Sequence, residues 1–398
     1  MKTFIIILLY SICSIENLHA LPQMSLLSGN RCSSCHVNQQ GGGTRNDLGW
    51  YTFRDVSAVQ PAKGIMEDVW GIQDTLREWI GAKSNIGFDM RFQYIRSRNS
   101  ESEASLFPMQ FSLYGHHQLM PWLGIEGAYN IGPIRYRGQQ SWSGSILVQP
   151  DKDLPQFRLG MFQPTIGIKN DDHTTLNRQL AADWLTAEIL TPYNQMTLIA
   201  PYFASPGIEI GYESLHWLSF HAGVFSNDNL NQNTVTYDTS GSLAFTSRIM
   251  FWPKFFDNAL NTYIGASVLL NGEVSITQFM LGLGLTDQLS LSMETTLANT
   301  AHNRSIEPRN ITYVPSDSKT VSAELMYQIE PWLLPYFRSE YAELSQKNPS
   351  QSTIIRQFII GAQIFILPNM EIRPEYRIFD TYRPGMIGRW GAQLHLYY

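Results

Sequence analysis

Cysteine is almost absent from this chain: its 398 residues include 3. Charge is also scarce. Asp, Glu, Lys and Arg make up 16% of the residues and leave a net charge of -6. That mildly acidic balance argues against a nucleic-acid partner. Beyond the first dozen residues no apolar run approaches the ~20 residues a transmembrane helix needs. Aromatic residues, by contrast, are plentiful: 19 Tyr, 20 Phe and 10 Trp, or 12% of the chain. Few charges with many aromatics is unlike a disordered chain. It suits a protein with extensive apolar surface to cover, either in a core or in lipid.

The N-terminus reads as a secretion signal. Lys2 supplies the positive end, Phe4 to Ile12 the apolar run, and Leu18-His19-Ala20 the cleavage region, which predicts a signal over 1–20. An uncleaved anchor is the alternative, but the run is short for ~30 Å of hydrocarbon. Cys13 lies within this segment and leaves with it. Tyr10 and Ile12 fit a lipid-attachment box badly.

The mature chain then keeps Cys32 and Cys35, in "GNRCSSCHVNQQG". A disulfide across so short a loop gains little, because closure entropy grows with loop length. Cys-x-x-Cys-His is the attachment sequence of c-type haem. The two thiols add across the vinyl groups, and the gap of two lets both sulfurs reach one edge of the macrocycle. His36 then lies under the iron as proximal ligand. Attachment follows export, so signal and motif support each other. A zinc site wants four ligands, and no second Cys/His pair is present. A thioredoxin-type pair wants a βαβ context that the chain lacks. Gly41, Gly42 and Gly43 follow, permitting close backbone approach. Arg45 is either a partner for a haem propionate or a solvated loop residue. For the sixth iron position Met24 and Met66 are candidates, with His116, His117 and His173 more distant; an open position is equally allowed.

From about Asn85 the pattern is two-residue alternation, the mark of strands with one apolar and one polar face. In "NIGFDMRFQYIRS", Ile86, Phe88, Met90, Phe92 and Tyr94 share one face; Gly87, Asp89, Arg91 and Gln93 share the other. The pattern returns over 289–297, 354–366 and 370–379. Turn-like clusters separate such runs, at 99–100, 150–151, 226–228, 271–272, 287 and 368–369. Three runs open alike, "MPWLGIEGAY", "LHWLSFHAGV" and "EPWLLPYFRSEY", which predicts one recurring hairpin end with Trp122, Trp217 and Trp332 at a boundary. The chain ends "GRWGAQLHLYY", with Trp390, Ala392, Leu394, Leu396 and Tyr398 on one face and Arg389, Gln393 and His395 on the other. A closing strand that alternates and stops on an aromatic points to a transmembrane barrel, with lipid outside and a polar lumen inside. A soluble β array is the competing architecture. The expectation is all-β: an antiparallel transmembrane barrel of roughly 14–18 strands over 84–398, preceded by a small plug-like haem-binding segment over 21–83.

Two further features are predicted. In "FRLGMFQPTIGIKNDDHTTLNRQLAADWLTAEI" a strand is expected to end near Ile168, with a short helix from Ala181 to Ile189. Asp171, Asp172 and His173 between them have donors for a divalent metal, or form a loop that enters the lumen; a solvated helix cap is the plainer reading. His302 reads as an exposed loop residue.

Signal, "CSSCH" and barrel together resemble the fused monohaem cytochrome–porin proteins of bacterial outer membranes, known best from iron-oxidising bacteria. In layout the resemblance covers the whole chain, and its sharp part is "LLSGNRCSSCHVNQQGGGTRNDLGWYTF". It implies one covalent haem c on Cys32, Cys35 and His36. It also implies electron transfer between an extracellular donor or acceptor, ferrous iron among them, and a periplasmic cytochrome or other carrier. The alternatives are a diffusion porin with a structural or sensory haem and a haem peroxidase, for which His173 would be the distal group.

Overall fold

The computed structural model describes residues 25–27, 31–37, 45, 83–97, 105–131, 142–168, 175, 204–227, 243–255, 260–272, 274–306, 311–347, 350–367, 369–380 and 387–397. Among the described residues, a helical stretch over 25–27 and one helical turn, α1 (Cys32–Cys35), precede the strands. β1 (Ser84–Ser97) begins where the alternation begins. It is followed by β2 (Ser105–Met120), β3 (Leu123–Asn130), β4 (Trp142–Val148), β5 (Gln156–Phe162) and β6 (Ser205–Tyr212). β7 (Leu218–Ser226) and β8 (Leu243–Phe251) lead to a two-residue stub, β9 (Lys254–Phe255). Then come β10 (Leu260–Asn271), β11 (Val274–Gly284), β12 (Leu289–Ile306) and β13 (Ile311–Tyr327). β14 (Leu333–Lys347), β15 (Ser350–Leu367), β16 (Met370–Asp380) and β17 (Ile387–Tyr397) complete the set.

All pairings are antiparallel, and β1 pairs with β17 from Asp89↔Tyr397 to Ser97↔Arg389, which closes the sheet. β8 and β9 pair with β10 in a single register and form one stave, interrupted at Trp252–Pro253, where proline offers no donor. The result is a closed 16-strand barrel. Closure leaves no unpaired edge, the condition for a sheet to stand in lipid.

The two faces divide as the alternation predicts. On β1, Asp89, Arg91 and Gln93 are buried toward the lumen. On β17, Trp390 is 57% exposed while Arg389 is 2% exposed. Outward positions on the other strands carry Leu159, Ile208, Phe245, Ile264, Phe279 and Ile360, all exposed. These residues form the surface that lipid covers, while inward Arg, Glu, Gln and Ser line a polar lumen.

The three similar openings are structurally equivalent. Trp122, Trp217 and Trp332 each end a turn just before a strand that starts on Leu. Each tryptophan carbonyl accepts a backbone bond from the neighbouring stave, from Gln149, Trp252 and Phe365 respectively. All three lie at the end where β1 begins and β17 ends, with turns such as 121–122 and 285–288, while the longest connections, after β5 and β7, leave the other end. Short turns mark the periplasmic end of such barrels.

Two expectations need correcting. β5 ends at Phe162, not near Ile168. Thr165 donates its N–H and hydroxyl to Glu209, at 2.9 and 2.5 Å, and the Gly167 N–H donates to Ser267 Oγ at 3.0 Å, so the chain turns into the lumen. Gly167 has φ +63°, and a Cβ there would meet the Gln278 side chain at 2.8 Å. His302 lies not in a loop but in β12, opposite Pro315 of β13. β12 has 18 residues. Tilted, such a strand rises about 45 Å, well past the ~25 Å apolar band. Beyond lipid both faces meet water, so the alternation that identifies a strand fades. Asp171, Asp172, His173, the helix expected over 181–189, Met24 and Met66 lie outside the described residues.

Candidate functional site

The wall breaks its own pattern at one end. Inward residues near the periplasmic turns are apolar: Met250, Tyr263 and Met280 on β8, β10 and β11, and Met326, Leu334, Tyr336, Ile359 and Phe365 on β13 to β15. A water-filled lumen would not favour them. They are covered by the N-terminal segment, helical over 25–27. Leu26, 1% exposed, packs with Ile168, Met250, Trp252, Tyr263 and Met280. Leu27, 6% exposed, packs with Met326, Leu334, Tyr336, Ile359, Phe365 and Trp332. Gly284 at the end of β11 makes this approach possible, because a Cβ there would stand 2.4 Å from the Leu26 carbonyl oxygen.

Arg31 then ties the chain to the 213–217 turn. Its guanidinium donates to the Glu213 carbonyl at 2.9 Å and to the Leu215 carbonyl. Burial draws the Arg31 pKa down, opposed by the charge of Glu213. The Glu213 carboxylate in turn accepts from Ser33 and lies 3.2 Å from His221 Nε2. Burial pushes that carboxyl up, but these bonds and the charges of His221 and Arg248 hold it below its ordinary range.

α1 follows. Arg31, extended at φ -96° and ψ 161°, precedes it, and the His36 N–H closes the turn on the Cys32 carbonyl at 2.9 Å. One helical turn puts positions i, i+3 and i+4 on one side. Positions 32 and 36 therefore face one way and positions 33 and 34 the other. Ser33 and Ser34 accordingly line a cleft of about 410 Å³, shared with Leu26, Arg31, Trp252 and Asn261. Cys32 and His36 are turned away from it and are 3% and 7% exposed. His36 is extended and bridges to Arg45. The Arg45 guanidinium lies 4.7 Å from the centre of the Tyr397 ring on β17.

The described part of residues 25–45 thus touches the 213–217 turn, β8, β10, β11, β13 to β15, and β17. It crosses the periplasmic mouth from one side of the wall to the other. Cys32, Cys35, His36 and Arg45 are brought together by one short run of chain. His116 is on the inward face of β2, and His117 is 2.6 Å from the Ser84 hydroxyl. Among the described residues no group of three or more His, Cys, Asp or Glu is arranged to hold a metal ion.

Elsewhere on the inner face, charges are paired. Arg338 lies 3.4 Å from Glu324 and 3.1 Å from Glu340. Arg91 lies 3.0 Å from Asp89, and His395 sits between Asp89 and Glu371 at 3.1 and 3.3 Å. Such paired charges let buried ionic groups line a polar interior. The alternation announces their faces. Nothing in the sequence announces Arg31, Glu213, Arg248, Tyr263 or Tyr397 as neighbours of the cysteine motif, although the doubly apolar run 354–366 records that something covers the inner face of β15.

No protein-family model and no curated protein sequence matches the chain. Among solved structures it is similar to the high-pH form of OprB from Pseudomonas putida, with 10% identity over 83% of this chain and 97% of that one, at TM-score 0.54. It is similar also to OmpF of Salmonella typhi in complex with daunomycin, with 10% identity over 79% of this chain and 97% of that one, at TM-score 0.52. At such identity the likeness is one of fold. With the closed wall and the apolar exterior, it defines the chain as a porin-type β-barrel of the bacterial outer membrane, in contact with outer-membrane lipid.

Proposed function

We propose that the protein is a porin-type channel whose periplasmic mouth is crossed by a segment carrying one covalent haem c. The observation that carries the channel reading is the closed 16-strand wall with a charged lumen, since barrels of this size enclose an aqueous passage. The residues present suit the haem. Cys32 and His36 share one side of a single turn and are withdrawn from bulk water, and Cys35 ends the same turn. Cys32 and Cys35 would hold the group through thioethers and His36 would ligate its iron. Bound there, the haem supplies a one-electron redox centre. The chain's own part is to fix the turn: Leu26 and Leu27 anchor it, Arg31 and Ser33 tie it to the 213–217 turn, and Arg45 holds the far end on Tyr397.

Electron transfer is the second reading, favoured by the position of the motif. It lies at the periplasmic end, where a soluble cytochrome or other carrier can reach it. One haem does not cover an apolar band ~25 Å tall. The outer partner must therefore enter the lumen, or a small donor such as ferrous iron must diffuse through it.

The test is an absorption spectrum of detergent-extracted protein made with and without a cytochrome c maturation system, beside a Cys32→Ala, Cys35→Ala variant, followed by planar-bilayer conductance. A maturation-dependent c-type spectrum that the variant loses supports the haem, and its absence from matured protein refutes it. Conductance unaffected by haem redox state favours the channel reading. Turnover of ferrous iron coupled to a periplasmic cytochrome favours electron transfer.

A further inference from the structure

Among the described residues, three buried polar side-chain atoms of the wall near α1 lack a hydrogen-bond partner. Arg248 occupies the inward face of β8 opposite Ser267 of β10, is 2% exposed, and its Nε has no hydrogen-bond partner among the described residues. Tyr263 on β10 is wholly buried, and its hydroxyl has none either. Trp252 meets Tyr263 edge to face at 5.5 Å between ring centres, and its indole N–H is likewise without a partner. Trp252 and Tyr263 share one cluster with Leu26. Arg248 and Tyr263 lie within electrostatic range of Cys32 and of each other.

Native proteins leave few buried polar groups unserved, and here the unserved Nε belongs to a buried guanidinium. The nearby carboxylates are engaged elsewhere: Glu209 by Thr165, Glu213 by His221 at 3.2 Å, and Glu294 by Gln278 at 3.0 Å. Arg45, the guanidinium nearest the motif in sequence, is stacked on Tyr397.

The geometry points to Arg248, with Tyr263, as the anchor for a carboxylate of the haem that Cys32 and Cys35 would carry. A guanidinium only donates and a phenol can donate, so a ligand that meets both supplies acceptor oxygens. Glu209, Glu213 and Glu294 lie within range of Arg248 and repel a freely diffusing anion. A carboxylate delivered by two covalent bonds is held at high effective concentration and overcomes that repulsion. This inference rests on the haem reading above.

The test uses matured full-length protein with Arg248→Gln, Arg248→Lys and Tyr263→Phe. Covalent haem is read by intact mass and the midpoint potential by spectroelectrochemical titration. All three variants are expected to keep the haem, because the thioethers are untouched. The potential should fall in Arg248→Gln, since a nearby cation favours the reduced state, and recover largely in Arg248→Lys. It should fall less in Tyr263→Phe, which decides the matter if Arg248→Gln does not fold. An unchanged potential in the folded variants overturns the inference and leaves the haem reading standing. Wild type without covalent haem overturns both. Thermal stabilisation of the haem-free Cys32→Ala, Cys35→Ala variant by inorganic phosphate, lost in Arg248→Gln, assigns the site to a free anion and overturns the inference as well.

Discussion

Replacing Gly284 with alanine sets two effects of opposite sign against each other. Within β11 alone, alanine is the better residue, and the wall should gain about 0.5–1 kcal/mol from the lost freedom of glycine. At the mouth the new Cβ would meet the Leu26 carbonyl oxygen at 2.4 Å and its carbon at 3.0 Å. Both are backbone atoms that no rotamer change can move, and overpacking of this kind costs roughly 1–3 kcal/mol. The seat it strains rests on Leu26 and Leu27, whose burial contributes about 3–6 kcal/mol in sum at roughly 1.5–3 each. Gly284→Ala should therefore leave the barrel intact and raise the detached population of the N-terminal segment by roughly 5- to 150-fold. Limited proteolysis in detergent reads that population when reseating outpaces cleavage. Migration of unheated protein in SDS gels reports whether the barrel is intact. Unchanged cleavage of the N-terminal segment in a folded Gly284→Ala barrel would show that Leu26 does not rest against β11.

Arg31→Ala removes charge-assisted bonds to the carbonyls of Glu213 and Leu215; partly exposed, they fall toward the low end of the ~1.5–3 kcal/mol such bonds contribute, and the same proteolysis should accelerate about tenfold. Acid should release the segment too. The Glu213 carboxyl is held below its ordinary range, so its contribution is complete above the unfolded value of about 4.3 and is lost as pH falls through the lower folded value. Protection should be flat from neutrality to about pH 4.3 and drop below it, whereas Glu213→Gln should be less protected throughout and lack the acid step. Phe279→Arg, at the centre of β11 and 51% exposed on the lipid face, should cost the barrel ~2–4 kcal/mol; denaturant titration in lipid vesicles measures it, and a loss under about 0.5 kcal/mol would place Phe279 outside the apolar band.

The alternation of 86–94 and of 389–396 fixes which side chains meet lipid, because the period of a strand is set by backbone geometry alone. The cysteine motif is equally local, five residues that one helical turn arranges without help. From such short-range features the class of fold, the barrel's start at Ser84 and the role of the three turn tryptophans follow directly. Where local signals run out, legibility does too. The upper part of β12 lost its alternation above the lipid, and the exit from β5 was decided by Glu209 and Ser267 rather than by residues beside it.

The mouth belongs to tertiary structure. Leu26 meets Gly284, Arg31 meets the 213–217 turn, and Arg45 meets Tyr397 only because closure of β1 on β17 brings distant staves around one opening. Arg248 and Tyr263 become neighbours of Cys32 for the same reason. A sequence specifies faces and motifs through interactions a few residues long. Which face a motif comes to rest against depends on how a 16-strand wall closes, and no local pattern encodes that circumference.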